Sequence, residues 1–145
     1  MVSVIIPTLN EQETIAAVVQ CAFLCDKVTE VLVIDDKSVD DTVVLAKKAG
    51  AKVFASSRLG KGASMREGIL LAKNEILLFI DGDIHPYPKN MMELLIAPII
   101  NDECDFVKSS FTRNAGRVTE LVAKPLLSIF FPELTGFDQP LSGMI

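Results

Sequence analysis

Two aspartates separated by one glycine follow the apolar run 75–80 of this 145-residue chain. In extended backbone, residues two positions apart point the same way, so Asp81 and Asp83 can face one ligand. Gly82 has no side chain to stop a ligand or metal ion from approaching the backbone. Paired carboxylates of this kind suit Mg²⁺ or Mn²⁺ that also holds a diphosphate. An isolated Asp-x-Asp is as often an ordinary loop, so this interpretation depends on what surrounds it.

A second acidic pair, Asp35 and Asp36, follows another apolar run. A carboxylate accepts hydrogen bonds, so one of these residues suits the N–H of a base or a ribose hydroxyl. The alternative is that the pair caps the next helix, but Asp40 and Asp41 are better placed for that role. The sequence therefore favours a ligand at Asp35 or Asp36.

Gly60, Lys61 and Gly62 open a predicted helix. Free backbone N–H groups, the positive end of the helix dipole and the lysine charge together favour an anion or a nucleotide. The alternative is a plain glycine turn with a solvated lysine. The spacing of a Walker A loop is absent, and no Gly-x-Gly-x-x-Gly follows the first strand, so a dinucleotide site is not favoured.

A locally basic stretch begins near Lys108 in this otherwise acidic chain. Within it, Gly116, Arg117 and Thr119 place a glycine, a guanidinium and a hydroxyl at the start of a predicted helix. This combination suits a phosphate or carboxylate, because the arginine fork and the helix N–H groups both donate. A solvated surface remains the alternative.

Strand and helix patterns alternate along the chain. We predict strands at 2–7, 30–34, 52–55, 75–80 and 105–109, and helices at 10–25, 40–49, 60–73, 90–100 and 118–131. This alternation predicts an α/β fold with a mostly parallel, Rossmann-like sheet flanked by helices. Ligands of such sheets bind beyond the carboxyl ends of the strands, which is where the polar clusters fall.

Composition limits the classes of function. A chain of this length with 50% apolar residues can build one domain with a real core. The net charge of −5 disfavours nucleic acid as a partner. No segment has the pattern of a signal peptide or the length of an integral membrane segment. The cysteines are odd in number, without a Cys-x-x-Cys, which fits a cytoplasmic protein.

Three motifs resemble the GT-A nucleotide-sugar glycosyltransferases: 4–11, 33–42 and 81–83. Five further segments are similar to glucosyl-3-phosphoglycerate synthases and their mannosyl relatives: 60–62, 105–108, 116–127, 131–134 and 139–143. The resemblance covers essentially the whole chain. Its first three motifs are common to many GT-A enzymes and indicate the donor class, whereas the segments at 116–127 and 139–143 are more specific.

The resemblance implies a GT-A fold and a metal-dependent, retaining transfer of a hexose to the hydroxyl of 3-phosphoglycerate. The donor would be UDP-glucose or GDP-mannose, the metal Mg²⁺ or Mn²⁺, and the assembly a homodimer. The implied nucleotide-binding residues are Pro7, Leu9, Glu11, Asp36, Ser38 and Lys61. Asp81 and Asp83 would be catalytic, Asp83 as the metal ligand and Asp81 holding ribose or the donor sugar. The implied acceptor-binding residues are Lys108, Gly116, Arg117 and Thr119.

The chain departs from the family pattern at its end. Family members continue beyond Ile145, where a histidine adds a metal contact, and they have a glutamate where this chain has Met144. We therefore expect residues 1–145 to form a single GT-A domain that lacks a C-terminal part. Two alternatives stay open: a nucleotide-binding remnant without turnover, and a GT-A transferase that acts on a polyprenyl phosphate.

Overall fold

The computed structural model describes residues 1–109 and 119–134. The chain divides into two compact units, one built from Met1–Val107 and one within Lys108–Met144. Each unit is described separately. Among the described residues, no helix combines the length and the apolar character that crossing a bilayer requires.

The first unit alternates strands and helices, as the sequence predicts. Its elements are β1 (Val2–Thr8), α1 (Ile15–Ala22), β2 (Val28–Asp35), α2 (Thr42–Lys48), β3 (Lys52–Ala55), α3 (Lys61–Leu71), β4 (Ile76–Phe79) and α4 (Met91–Ile100). The four strands are all parallel and lie in the order β3-β2-β1-β4. The predicted α/β class with a parallel sheet is confirmed.

The two central strands are rich in β-branched residues because they are covered on both sides. Every residue of β1 is buried, and in β2 only Thr29 is exposed. Ile5, Leu32 and Ile34 form one core cluster. Gly68 of α3 lies against Ile5, since a Cβ at Gly68 would be 2.4 Å from the Ile5 Cγ2 atom. A glycine at this position therefore lets α3 lie close to the sheet.

The first helix begins at Ile15 rather than at the predicted Asn10. Asn10 has a positive φ of 55°, which ends the extended strand without starting a helix. Its backbone N–H donates to Ser38 Oγ at 2.9 Å, and its Oδ1 accepts from the Val39 N–H at 2.9 Å. Asn10 thus connects the loop after β1 to the loop after β2. This contact joins distant parts of the sequence, so helical periodicity does not reveal it.

The predicted fifth strand, 105–109, is wrong. These residues are irregular, and the sheet has four strands within 1–109 and 119–134. Phe106 is 58% exposed, so the segment buries no continuous apolar face. A run with only two adjacent apolar residues gives a strand too little to bury against a sheet.

Other boundaries shift by a few residues. The second strand is longer than predicted, and α3 and β4 are shorter. Pro98 lies inside α4, which continues to Ile100. In the second unit, a π-helix at Thr119–Ala123 is followed by α5 at Lys124–Phe130 and a 3₁₀ turn at Pro132–Leu134. The predicted helix 118–131 is thus divided by a change of helix type, with Pro125 in the first turn of α5.

Candidate functional site

A cleft of about 350 Å³ opens in the first unit where β1, β2 and β4 end and α3 begins. Its lining includes seven residues that the sequence predicted: Pro7, Leu9, Glu11, Asp36, Lys61, Asp81 and Asp83. It also includes Gly60 and Gly82, which belong to two of the predicted motifs, and Thr8 and Ser64, which were not singled out from the sequence. The predicted residue Ser38 is not among the residues that line the cleft, and its Oγ accepts a hydrogen bond from the Asn10 N–H. The predicted gathering of polar groups at the carboxyl edge is therefore present.

The acidic loop after β4 is held by hydrogen bonds to its backbone. Thr14 Oγ1 donates to the Gly82 carbonyl at 2.7 Å, and the Tyr87 hydroxyl donates to the Asp81 carbonyl at 2.8 Å. A Cβ at Gly82 would lie 2.0 Å from Glu11 Oε2, so this glycine lets the glutamate pass over the loop. The loop presents Asp83 as an exposed side chain and Asp81 as a partly buried one.

Glu11 is a half-buried carboxylate that lines the cleft. Thr8 Oγ1 donates to its Oε2 at 2.6 Å. Burial raises the pKa of Glu11, and the charges of Asp83 and Asp81 raise it further, against the opposing effects of the Thr8 hydrogen bond and the Lys61 charge. Three carboxylates therefore repel one another here, which favours a cation in the cleft.

Lys61 supplies a positive charge to the cleft. Its Nζ forms an ion pair with Asp81 Oδ1, and 61% of its side chain is exposed. Because this ion pair is open to solvent, it contributes little to stability and can be exchanged for another anion. The lysine thus lies at the start of α3 with its charge in the cleft, and its contact with a nucleotide stays a prediction.

The structure distinguishes between the two aspartates after β2. Asp35 accepts from the Ser38 N–H at 3.2 Å and closes the local turn. Asp36 lines the cleft, and its Oδ2 accepts from the Gly60 N–H at 2.6 Å. The other oxygen, Oδ1, is buried and has no partner among the described residues. Asp36 is therefore the member of the pair that can receive a ligand's donor.

The carboxylates of the cleft fit a divalent cation only together with a ligand. Within the described ranges, no group of three His, Cys, Asp or Glu residues is arranged to hold a metal ion. Mg²⁺ is commonly bound by one or two carboxylates and completed by substrate phosphates and water. The exposed carboxylate of Asp83, with Asp81 beside it, matches that arrangement.

The predicted acceptor residues fall in the second unit. Lys108 is half-buried. The backbone of Thr119 begins the π-helix. Gly116, Arg117, the segment 139–143 and Met144 lie outside the described residues, and so does the side chain of Thr119. Their proposed contacts with an acceptor remain predictions.

Residues 3–141 match the glycosyl transferase family 2. A glucosyl-3-phosphoglycerate synthase of Petrotoga mobilis is 36% identical over 98% of this chain and 51% of its own length. The enzyme of that name from Mycobacterium tuberculosis is 35% identical over 98% of this chain and 52% of its length. The chain thus spans about half the length of these curated relatives.

Solved structures agree with the sequence comparison. Glucosyl-3-phosphoglycerate synthase from Mycobacterium tuberculosis, in complex with Mn²⁺, UDP-glucose and phosphoglyceric acid, superposes with a TM-score of 0.88 at 37% identity. The alignment covers 99% of this chain and 55% of that one. A complex of the same enzyme with Mg²⁺ and UDP gives a TM-score of 0.84 at 36% identity, covering 99% of this chain and 55% of the other. The fold is therefore GT-A, as predicted.

Proposed function

Because this chain belongs to glycosyl transferase family 2, we propose that it transfers a hexose from a nucleotide sugar to a small phosphorylated acid. The donor we propose is UDP-glucose and the acceptor is 3-phosphoglycerate. The observation that carries the proposal is the cleft in which Glu11, Asp36, Lys61 and the acidic loop 81–83 meet at the carboxyl edge of a parallel sheet. The ligands in the solved relative's complex support the choice of substrates.

The nucleoside would bind along the loop after β1. Pro7 and Leu9 offer apolar surface on one side of the cleft, and Leu9 is 50% exposed, so that surface is accessible. Asp36 has a buried, unpaired carboxylate oxygen, which would accept a hydrogen bond from a donor group of the base. Ser38 lies next to this loop. These residues would orient the donor before any chemistry takes place.

The diphosphate would lie between Lys61 and the acidic loop. Lys61 would exchange its contact with Asp81 for the phosphates, which frees Asp81 to bind ribose or the donor sugar. Asp83 would ligate Mg²⁺ or Mn²⁺, which, when bound, neutralises the charge that develops on the leaving diphosphate. The protein's part in this scheme is electrostatic and positional, and it requires no protein nucleophile.

The acceptor would bind through the basic residues of the second unit. Arg117 and the backbone N–H groups near Gly116 and Thr119 would hold the phosphate or carboxylate of 3-phosphoglycerate, with Lys108 nearby. We propose retention of configuration at the sugar and one GT-A domain over residues 1–145. A cytoplasmic location is supported by Cys21, Cys25 and Cys104, which are all free.

Turnover and binding assays test this proposal. Incubation with UDP-glucose, Mn²⁺ and 3-phosphoglycerate should release UDP and form a glucosylated acid, and GDP-mannose in place of UDP-glucose should give a lower rate. Binding of UDP without turnover would favour the nucleotide-binding remnant. Turnover with a polyprenyl phosphate but not with 3-phosphoglycerate would favour the membrane acceptor. Absence of UDP binding would contradict the glycosyltransferase proposal.

A further inference from the structure

Two buried polar atoms in the wall of the cleft have no hydrogen-bond partner within the described part of the chain. They are Asp36 Oδ1 and Ser64 Oγ. Asp36 is 9% exposed and Ser64 is fully buried, yet both line the same cleft. Buried polar groups in native proteins are nearly always paired, so each exception calls for a partner.

The two atoms belong to one hydrogen-bonded chain of residues. Asp36 Oδ2 accepts from the Gly60 N–H at 2.6 Å, and the Gly60 carbonyl accepts from the Ser64 N–H at 3.2 Å. The residue after β2 is thereby fixed to the first turn of α3. This connection brings Asp36 and Ser64 to the same part of the cleft wall.

Stability alone does not explain Ser64. An unpaired buried hydroxyl destabilises a fold, and alanine is the better residue inside a helix. Ser3 offers a contrast, because it is also fully buried but its Oγ donates to Glu30 Oε2 at 2.8 Å. The hydroxyl of Ser64 therefore has no stabilising contact among the described residues, and we look for its partner in a ligand.

We propose that Ser64 is a specificity-determining residue that reads the nucleobase together with Asp36; the inference rests on the proposed function. Uracil presents its N3–H between two carbonyl oxygens. Asp36 Oδ1 accepts from N3–H, and the Ser64 hydroxyl, which rotates freely, donates to an adjacent carbonyl oxygen. Each of the two unpaired protein atoms gains one hydrogen bond.

Other bases match this pair less well. Cytosine has an unprotonated N3 and an amino group. Its N3 and the Asp36 carboxylate oxygen are both acceptors, so they would repel each other. Guanine also presents an N–H beside a carbonyl oxygen, but its neighbouring 2-amino group would lack an acceptor because Asp36 Oδ2 is already used by Gly60. The arrangement therefore selects uracil over cytosine and disfavours guanine through its unpaired 2-amino group.

A Ser64→Ala variant of the full chain separates this role from a structural one. UDP affinity should fall by about threefold to tenfold, as expected for one lost hydrogen bond. CDP affinity should change less, so the ratio of UDP to CDP affinity should narrow. The midpoint of thermal unfolding without ligand should stay the same or rise. Ser3→Ala, the matched control, should lower the midpoint and leave both nucleotide affinities unchanged.

Calorimetric titration of UDP and CDP with Mn²⁺, with Ser64→Cys as a second size-matched variant, decides the question. Equal UDP affinity in wild type and variants would overturn the role of Ser64 while leaving the proposed function intact. Equal losses for UDP and CDP would overturn base reading and point to the ribose. A wild type that does not bind UDP would overturn the inference and the proposed function together.

Discussion

Asp83 and Asp81 differ in environment although only one residue separates them. Asp81 is paired with Lys61, and its side chain is 27% exposed, whereas Asp83 is exposed. The carboxylate that already has a cation can hold an uncharged hydroxyl, and the exposed one can bind a metal ion. The two residues should therefore respond differently to substitution.

We predict that Asp83→Ala abolishes the metal dependence of UDP binding and leaves the fold intact, because the side chain lies on an exposed loop. Wild type should bind UDP only weakly in EDTA, since Glu11 and Asp81 also repel the diphosphate. The variant should bind UDP with one weak affinity in Mn²⁺ and in EDTA, as measured by calorimetry. Asp26→Ala, another exposed aspartate, is the control and should retain the wild-type response.

Arg117 is the residue for which we predict the largest effect on the acceptor. Arg117→Lys should weaken 3-phosphoglycerate binding about tenfold to a hundredfold, because a lost charge-assisted bond costs about 1.5–3 kcal/mol and lysine lacks the planar fork. UDP affinity should barely change. Separate titrations with UDP and with the acid test this. A variant that loses UDP and keeps the acid would show that the two sites are assigned the wrong way round.

Part of the candidate site follows from sequence, and part does not. The cleft residues from Pro7 to Asp83 are predictable because the carboxyl ends of parallel strands must share an edge. The roles of Thr8 and Thr14 are not, since a threonine gives no sign of which distant group it will bond. Thr14 reaches the Gly82 carbonyl from far away in the sequence. Only the folded backbone brings such pairs together.

At the level of elements, α3 connects the core to the cleft, and its packing depends on Gly68. We predict that Gly68→Ala lowers the free energy of unfolding by about 1–3 kcal/mol, because the new Cβ would overlap Ile5 in a filled core. That loss exceeds the gain of up to about 1 kcal/mol from the better helix propensity of alanine.

Urea unfolding measures this effect, and Gly62 supplies the matched control in the same helix. A Cβ at Gly62 meets nothing within 4 Å. Gly62→Ala should therefore be neutral or slightly stabilising. If the two variants were equally stable, the close approach of α3 to β1 would not be the reason for a glycine at position 68.

Glu30 lies near the start of β2, at the amino end of the strands and therefore opposite the cleft. Its buried carboxylate accepts from Lys52 Nζ at 2.8 Å, from Ser3 Oγ at 2.8 Å and from the Lys73 N–H at 3.0 Å. Burial raises the pKa of Glu30, but these hydrogen bonds together outweigh it, so the pKa lies below its ordinary value of 4.5. The ionised carboxylate is therefore the form that the fold stabilises.

The lowered pKa fixes the direction of a pH effect. The stabilisation of the fold by ionised Glu30 is fully present above pH 4.5. It is lost as the pH falls through the lowered pKa that Glu30 has in the folded state. We predict that Glu30→Gln lowers stability at pH 7 and flattens the decline of stability in acid. Unfolding in urea between pH 7 and pH 3 tests this. Glu13→Gln, at an exposed glutamate, should keep the wild-type slope.

The elements themselves were predictable to different degrees. Central strands were identified correctly because their β-branched runs are buried on both sides. The predicted start of α1 was wrong because Asn10 forms a hydrogen bond with Ser38 in the loop after β2, and local periodicity cannot show such a contact. The predicted strand at 105–109 was wrong because β-propensity in a short exposed segment is a weak signal.

At the scale of the molecule, an acidic protein is proposed to bind an anionic donor. The net charge is −5, so the overall field opposes a nucleoside diphosphate. The local charge of Lys61 and a bound cation offset that repulsion within the cleft. Elsewhere on the acidic surface, nonspecific attachment to nucleic acid is disfavoured.

The second unit leaves large apolar side chains exposed on its helix α5. Its helix α5 leaves Ile129 and Phe130 at 69% and 66% exposed. Together with the homodimer that the sequence resemblance implies, this exposure predicts a homodimer, because an apolar surface of this kind is commonly buried between copies. Sedimentation velocity should give twice the chain mass, and Phe130→Ser should shift the distribution toward the monomer. A wild type that stays monomeric at high concentration would contradict the prediction.

The strand order has a consequence for the time course of folding. The sheet runs β3-β2-β1-β4, so the last strand in sequence must pair with the first. Contacts between distant parts of a chain close slowly, because the loop entropy is lost before the pairing is gained. The cleft needs the ends of β1, β2 and β4 at once, so it is complete only after this slow closure. A nascent chain should therefore acquire affinity for nucleotide late, as one of its final folding events.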